Sequence, residues 1–349
     1  MKRPAKHTIN TDVLIIGTGL AGCSAALAAA REGLHVTMIS SEKEFTESAS
    51  YYAQGGIITG SENDSLELML KDFQRAGDNL VNEKAVEMIF QYGKKFIHEV
   101  LINDVKVPFD RTEEGKISLT REASHSTNRI AHVKDHTGRA IQSYFFNHLK
   151  SIRNIDILTE VTAIDLITLA HHSLNYKHLY EPSTCSGAYC YFQKHDAIRP
   201  ILAGVTIIAS GGLGRLFLHS SNPKSARGDG YAMAYRAGAR IMNMEYIQFH
   251  PTTLLSHDSD RFLITEAMRG EGGVLYNSKG EAFMKKYDKQ AELAPRDIVA
   301  RSIVEEMNRT HTNNVFLNIS HKKSSWVKDR FPVIYEKCLE KNIDITTSP

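Results

Sequence analysis

Gly17-Thr18-Gly19-Leu20-Ala21-Gly22 spaces its glycines as a phosphate-binding turn requires. Gly17 permits the tight turn, Gly19 lets backbone approach a pyrophosphate, and Gly22 lets the next helix pack closely on the strand. A second group of residues is suited to carboxylates. Arg296 follows Pro295 at a helix start, and its planar guanidinium matches a carboxylate. The Thr265 hydroxyl can donate to one, and Glu266 can orient Arg269 or Arg296. His250 precedes Pro251, which keeps it out of a helix interior. Taken alone, His250 reads as a structural histidine, and Glu122 in Leu119-Thr120-Arg121-Glu122 as a solvated charge.

These residues need elements to hold them. Asp12 to Ile16 is a continuous apolar run, as in a parallel strand buried on both faces. Cys23 to Arg31 reads as an Ala-rich helix, whose N-terminus offers free amides and a positive dipole end to phosphates. His35 to Ser40 is the second strand. Ser40, Ser41 and Glu42 follow, Glu42 lying roughly 20 residues past the glycines, where a ribose-binding acid is expected. The turn alone does not separate NAD from FAD. Gly204 to Ala209 is a further buried strand ending in Ser210-Gly211-Gly212, which returns the chain to the same sheet. That suits a large nucleotide domain with insertions better than a compact NAD domain.

Composition limits the alternatives. The chain has 349 residues, 42 Lys plus Arg against 40 Asp plus Glu, and a net charge of +2, far from the basic excess of a nucleic-acid binder. The 4 cysteines in this length are no disulfide framework. Lys2, Arg3 and Lys6 before an apolar run to Ala30 imitate an export signal, with Leu20-Ala21-Gly22-Cys23 like a lipoprotein site. Cleavage there would remove the glycine turn, so a strand, turn and helix is the better reading. No segment reaches the ~18 apolar residues of a membrane span. The expected location is the cytoplasm. His171, His172, Cys185, Cys190 and His195 invite a metal reading, but the spacing lacks a second compact pair. A surface hairpin inserted over 170–199 is expected instead, with no metal.

Several stretches together resemble the flavoproteins of the succinate dehydrogenase/fumarate reductase group, and within it the L-aspartate oxidases. They are Tyr52-Ala53-Gln54-Gly55-Gly56, Leu119 to Glu122, Gly228-Asp229-Gly230, Gln248 to Thr252, Thr265 to Gly272 and Glu292 to Asp297. The resemblance implies an α/β fold, with a Rossmann-like FAD-binding domain over 1–243 and an inserted α+β capping domain over 244–349. It implies FAD lined by Gly17 to Gly22, Ser40, Ser41, Ser50, Tyr51, Tyr52, Ala53, Gln54, Gly55, Gly56, Gly212 and Asp229. The respiratory members bond FAD to a His where this chain has Ser50, Tyr51 and Tyr52, so non-covalent flavin is expected. Glu122 would meet a substrate ammonium, His250 and Thr265 a carboxylate, and Glu266 the substrate-binding arginines. The matching Arg of the family moves a proton, which sits awkwardly with a guanidinium that stays protonated; a clamp follows from Arg296 itself. Ala123 and Ser124 replace a Gly pair usual after this Glu. The implied reaction is oxidation of L-aspartate to iminoaspartate, with electrons passing to O2 or fumarate, as a step towards NAD through quinolinate synthase.

The family continues beyond the position of Pro349, with a further His and Arg for substrate, a last FAD-binding turn and a helical domain. Two expectations follow: an aspartate-oxidising flavoenzyme of which this is part, whose residues 1–349 alone oxidise L-aspartate poorly, or a non-catalytic flavoprotein remnant. A succinate/fumarate-type oxidoreductase is the third, disfavoured by Tyr51-Tyr52 and Glu122.

Overall fold

A computed structural model describes residues 8–255 and 261–349. Lys2, Arg3 and Lys6 of the signal-like N-terminus lie outside the described residues. The strand Ile9–Ile16 runs into the glycine turn and the helix Leu20–Arg31. That helix buries Gly22, Cys23, Ala26, Leu27 and Ala30, all but Leu27 small residues that let it lie close on the sheet. Cys23, the centre of the lipoprotein-like motif, is a packing residue. Its Sγ donates to the Thr18 carbonyl, and burial pushes its thiol up to about 12.

The sheet has six strands in the order Ile155–Thr159, Val36–Ser40, Ile9–Ile16, Ala197–Ile208, Cys185–Phe192, Val161–Thr168. The first four are parallel, with Val13 opposite Val36 on one side and Val205 on the other. The last two join antiparallel. The returning strand therefore pairs directly with the first strand, as its apolar run implies. The Rossmann-like α/β reading holds. The 170–199 reading needs correction: Cys185–Phe192 is a strand of the main sheet, with Ala188 and Cys190 fully buried. Exposed chain flanks it on both sides, Leu174 and Tyr180 before it and Gln193 to Asp196 after it.

The chain divides into two compact units, one of residues up to Tyr52 with Ile141–Ile247, the other of Ala53–Ala140 with Gln248–Pro349. Residues 53–140, expected with the nucleotide domain, thus group with the C-terminal segment. The second unit holds the helices Leu66–Ala76, Glu83–Phe96, Glu266–Gly270 and Arg296–Thr310. It also has a small antiparallel sheet ordered Ile57–Ile58, Ile130–Ala131, Leu119–Thr120. One of its cores gathers Ile264, Met268, Val327, Phe331 and Ile334. Among the described residues no helix is long and apolar enough to cross a membrane.

Candidate functional site

In the first unit the glycine turn is forced by its surroundings. Gly17 has φ +118°, and a Cβ there would lie 2.2 Å from the Ala209 carbonyl oxygen. A Cβ on Gly22 would lie 2.1 Å from the Gly17 oxygen. Neither position admits a side chain. Gly19 caps the helix without a side-chain bond, and the Leu20 amide is met by Ser50 Oγ at 3.0 Å. The first strand pairs with Val36–Ser40 on one side and with the returning strand on the other, and a crevice opens beyond their ends at this switch point of the sheet. It is a cavity of about 490 Å³ lined by Gly17 to Ala21, Ser40, Ser41, Glu42, Ser50, Gly211, Gly212 and Asp229. A backbone-walled crevice at a helix N-terminus, with an acid at the second strand's end, fits the adenosine-pyrophosphate part of a dinucleotide.

Not every expected lining residue is there. Tyr51 packs edge-on against Phe45, and the Tyr52 hydroxyl donates to the Glu47 carboxylate at 3.0 Å; the cavity wall includes Glu47 to Ser50 but neither tyrosine. Ala53, Gln54, Gly55 and Gly56 belong to the second unit. Gln142 was not legible as a site residue; its Nε2 donates to the Thr18 carbonyl at 2.5 Å and fixes the turn from behind. No motif marks it, because it lies inside an ordinary helical stretch.

The second unit gathers Glu122, Glu266, Arg296, His250, Thr265 and Arg269. Thr265 caps the helix Glu266–Gly270, its Oγ1 accepting from the Ala267 amide at 3.3 Å; among the described residues its own O–H has no acceptor. Glu266, 4% exposed, pairs with Arg296 Nε and lies 3.7 Å from Arg269 Nη2. It therefore orients Arg296 by a hydrogen bond and faces Arg269 by charge alone, while Arg269 Nη1 donates to the Glu292 carbonyl at 2.6 Å. Arg296 opens the helix Arg296–Thr310 behind Pro295, and its Nη1 donates to Gln248 Oε1 at 2.8 Å. Among the described residues its Nη2 has no hydrogen-bond partner, which leaves one N–H edge for a ligand.

Glu122 is no solvated charge. Its Oε1 is buried without a hydrogen-bond partner among the described residues. Burial, then the neighbouring Glu266, push its carboxyl up to about 7, against the opposing pull of Arg296, Arg330 and Arg269. Arg330, which sequence reasoning missed, is held by Glu271 at 3.1 Å and the Lys134 carbonyl at 2.7 Å. Ser124 takes φ +65°, the conformation a glycine adopts freely, so the loop keeps a glycine-like path despite the serine. Arg129, fully buried, anchors this loop region to Asp64 at 2.9 Å and Asp72 at 2.8 Å.

His250 is driven down to about 3 by burial and then by Arg296 and Arg269. It is a neutral imidazole at neutral pH, so it meets a carboxylate by an N–H and not by charge. Its Nδ1 lies 3.2 Å from the Thr252 amide and 2.9 Å from the Thr252 carbonyl. Donation from Nε2 requires the first of these bonds, with Nδ1 as acceptor. Among the described residues no group of His, Cys, Asp and Glu converges as a metal site.

The L-aspartate oxidase of Pseudomonas aeruginosa is 40% identical over 346 residues, covering 97% of this chain and 62% of that protein. That of Halobacterium salinarum is 40% identical over 342 residues, covering 97% and 63%. The chain thus spans less than two thirds of the length of these curated relatives. Among solved structures, an E. coli quinol fumarate reductase matches with TM-score 0.87 at 24% identity, over 97% of this chain and 59% of that one. Sdh1 of Mycobacterium smegmatis, in complex with UQ1, matches with TM-score 0.75 at 30% identity, over 98% and 58%. The family model described as FAD binding domain matches residues 12–349. With a crevice built for a dinucleotide and a match that runs almost from end to end, the chain belongs to the FAD binding domain family, and its cofactor is FAD.

Proposed function

We propose that this chain carries the flavin- and substrate-binding parts of an enzyme that oxidises L-aspartate to iminoaspartate. FAD is held non-covalently by the first unit, through the turn Gly17 to Gly22, Ser40, Ser41, Ser50, Gly212 and Asp229. When bound, it would supply the two-electron acceptor for oxidation at the substrate Cα, with O2 or fumarate as the final acceptor. The observation that carries the reading is the half-buried Glu122, whose Oε1 is shut off from solvent within electrostatic reach of Glu266, Arg296, Arg330 and Arg269. Arg330 is already paired with Glu271, so Arg296 and Arg269 stand against Glu266 and Glu122, and the cluster is balanced when Glu122 is ionised. The ammonium of L-aspartate gives the ionised Glu122 carboxylate a partner, which a plain dicarboxylate does not bring.

The residues divide the work accordingly. Arg296 Nη2 and the Thr265 hydroxyl clamp a carboxylate, with His250 as a neutral donor. Glu266 holds Arg296 in place and faces Arg269 by charge, and Gln248 fixes the far side of the Arg296 fork. Glu122 takes the ammonium and so orients the Cα–H bond. Alignment of this kind lowers the barrier by removing orientational freedom in advance. The names of the curated relatives support the substrate, and the reading extends to a step towards NAD, placed in the cytoplasm, that hands iminoaspartate to a quinolinate synthase.

The test is Glu122→Gln in the FAD-loaded protein. A charge-assisted hydrogen bond is worth about 1.5–3 kcal/mol, so kcat/KM for L-aspartate falls roughly ten- to a hundredfold while fumarate reduction is spared. Equal losses for both substrates would make Glu122 a structural residue and remove the basis of the proposal.

A further inference from the structure

Gly55 and Gly56 read as one glycine pair in the sequence, but their surroundings differ. A Cβ on Gly56 would lie 2.2 Å from Ile130 Cγ2 and 2.5 Å from the Ala131 oxygen, so strand pairing excludes a side chain there. A Cβ on Gly55 would meet Glu122 first: Oε1 at 2.7 Å, then Cδ and Oε2 at 3.4 Å. Gly55 is not among the glycines of positive φ. Its backbone is therefore open to alanine, and the nearest obstacle is the end of a flexible side chain. Glu122 Oε1 has no hydrogen-bond partner among the described residues. With no donor to fix that oxygen, the shape of the space above Gly55 sets where the carboxylate rests.

We infer that Gly55 is a positioning residue for substrate selection: the side chain it lacks is the space that seats the Glu122 carboxylate. This rests on the reading of Glu122 as the ammonium partner. Alanine at 55 displaces the carboxylate and leaves the backbone in place. Aspartate at 122, one methylene shorter, withdraws the carboxylate from the added methyl. The pair is thus complementary in size, and a second substitution should repair the first.

The experiment uses FAD-loaded protein and two readouts. Infrared difference spectra against Glu122→Gln follow the pH at which the Glu122 carboxyl ionises. Calorimetry at about pH 8 measures binding of L-aspartate and of succinate, which lacks the ammonium. Gly55→Ala is expected to move the ionisation of Glu122 and weaken L-aspartate about tenfold, with succinate within about twofold. Glu122→Asp added to Gly55→Ala is expected to recover part of that loss, although Glu122→Asp alone weakens L-aspartate. Unchanged ionisation of Glu122, or an equal loss for both ligands with no recovery in the double variant, would overturn the inference. If Glu122→Gln binds the two ligands as wild type does, the ammonium reading fails. A shift of the Glu122 carboxyl in Gly55→Ala would then still support the contact.

Discussion

Replacing Glu122 by Gln should stabilise the protein, and by an amount that depends on pH. A carboxyl raised from its ordinary 4.5 to about 7 by burial and by Glu266 binds its proton more tightly folded than unfolded. In the window between those values the folded state holds more protons, so stability falls as pH rises through it. Below the window Glu122 is neutral in both states and the penalty is absent. Above about 7 the penalty is complete. At about 1.4 kcal/mol per pH unit, the distance from 4.5 to about 7 amounts to about 3 kcal/mol. Glutamine keeps the shape and cannot ionise. Glu122→Gln is therefore expected to gain about 3 kcal/mol near pH 8 and almost nothing near pH 4. The sequence has 1 Trp, Trp326, packed edge-on against Phe331 in the core of the second unit. Its fluorescence during urea unfolding reads that unit directly. A gain of the same size at both pH values, or a loss near pH 8, would refute the argument that Glu122 is a desolvated charge.

The remaining expectations are smaller. Ser124→Gly relieves a left-handed serine at φ +65° and should raise stability by about 0.5–1 kcal/mol in the same urea assay, whereas Ser124→Ala should not. His250, held near 3 by burial and the two arginines, should show ring resonances that do not move between about pH 5 and pH 8. A titration midpoint near the ordinary histidine value of about 6.5 would mean that the site is wetter than its packing indicates.

Legibility in the sequence followed the range of the interactions. The strand Ile9–Ile16, the turn and the helix Leu20–Arg31 are one local unit, and their apolar run and glycine spacing announce it. Arg296 could be placed at a helix start because Pro295 marks one. The strand Cys185–Phe192 was obscured because Gly187 and the hydroxyl-bearing Ser186, Tyr189 and Tyr191 dilute its apolar pattern, and its pairing with Ala197–Ile208 fixes it only after folding. The same limit applies to the site. Glu266 and Arg269 lie one helical turn apart and could be paired by spacing. Gly55 with Glu122, Arg330 beside Glu122, and Gln142 behind Thr18 meet only through the fold. A charge such as Glu122 carries no mark of burial in its own neighbourhood, which is why it read alone as a surface residue. The grouping of residues 53–140 with the C-terminal segment was hidden for the same reason, since contacts far apart in the chain decide it.

A single turnover under anaerobic conditions tests the central claim most directly, because it needs no particular rate. FAD-loaded protein is mixed separately with L-aspartate and with succinate near pH 8, and the yellow flavin band is followed together with the products. The account predicts that L-aspartate bleaches the band, with about one equivalent each of oxaloacetate and ammonia per flavin from hydrolysis of iminoaspartate, and that succinate leaves it yellow. Bleaching by succinate with formation of fumarate, while L-aspartate leaves the flavin oxidised, would contradict it.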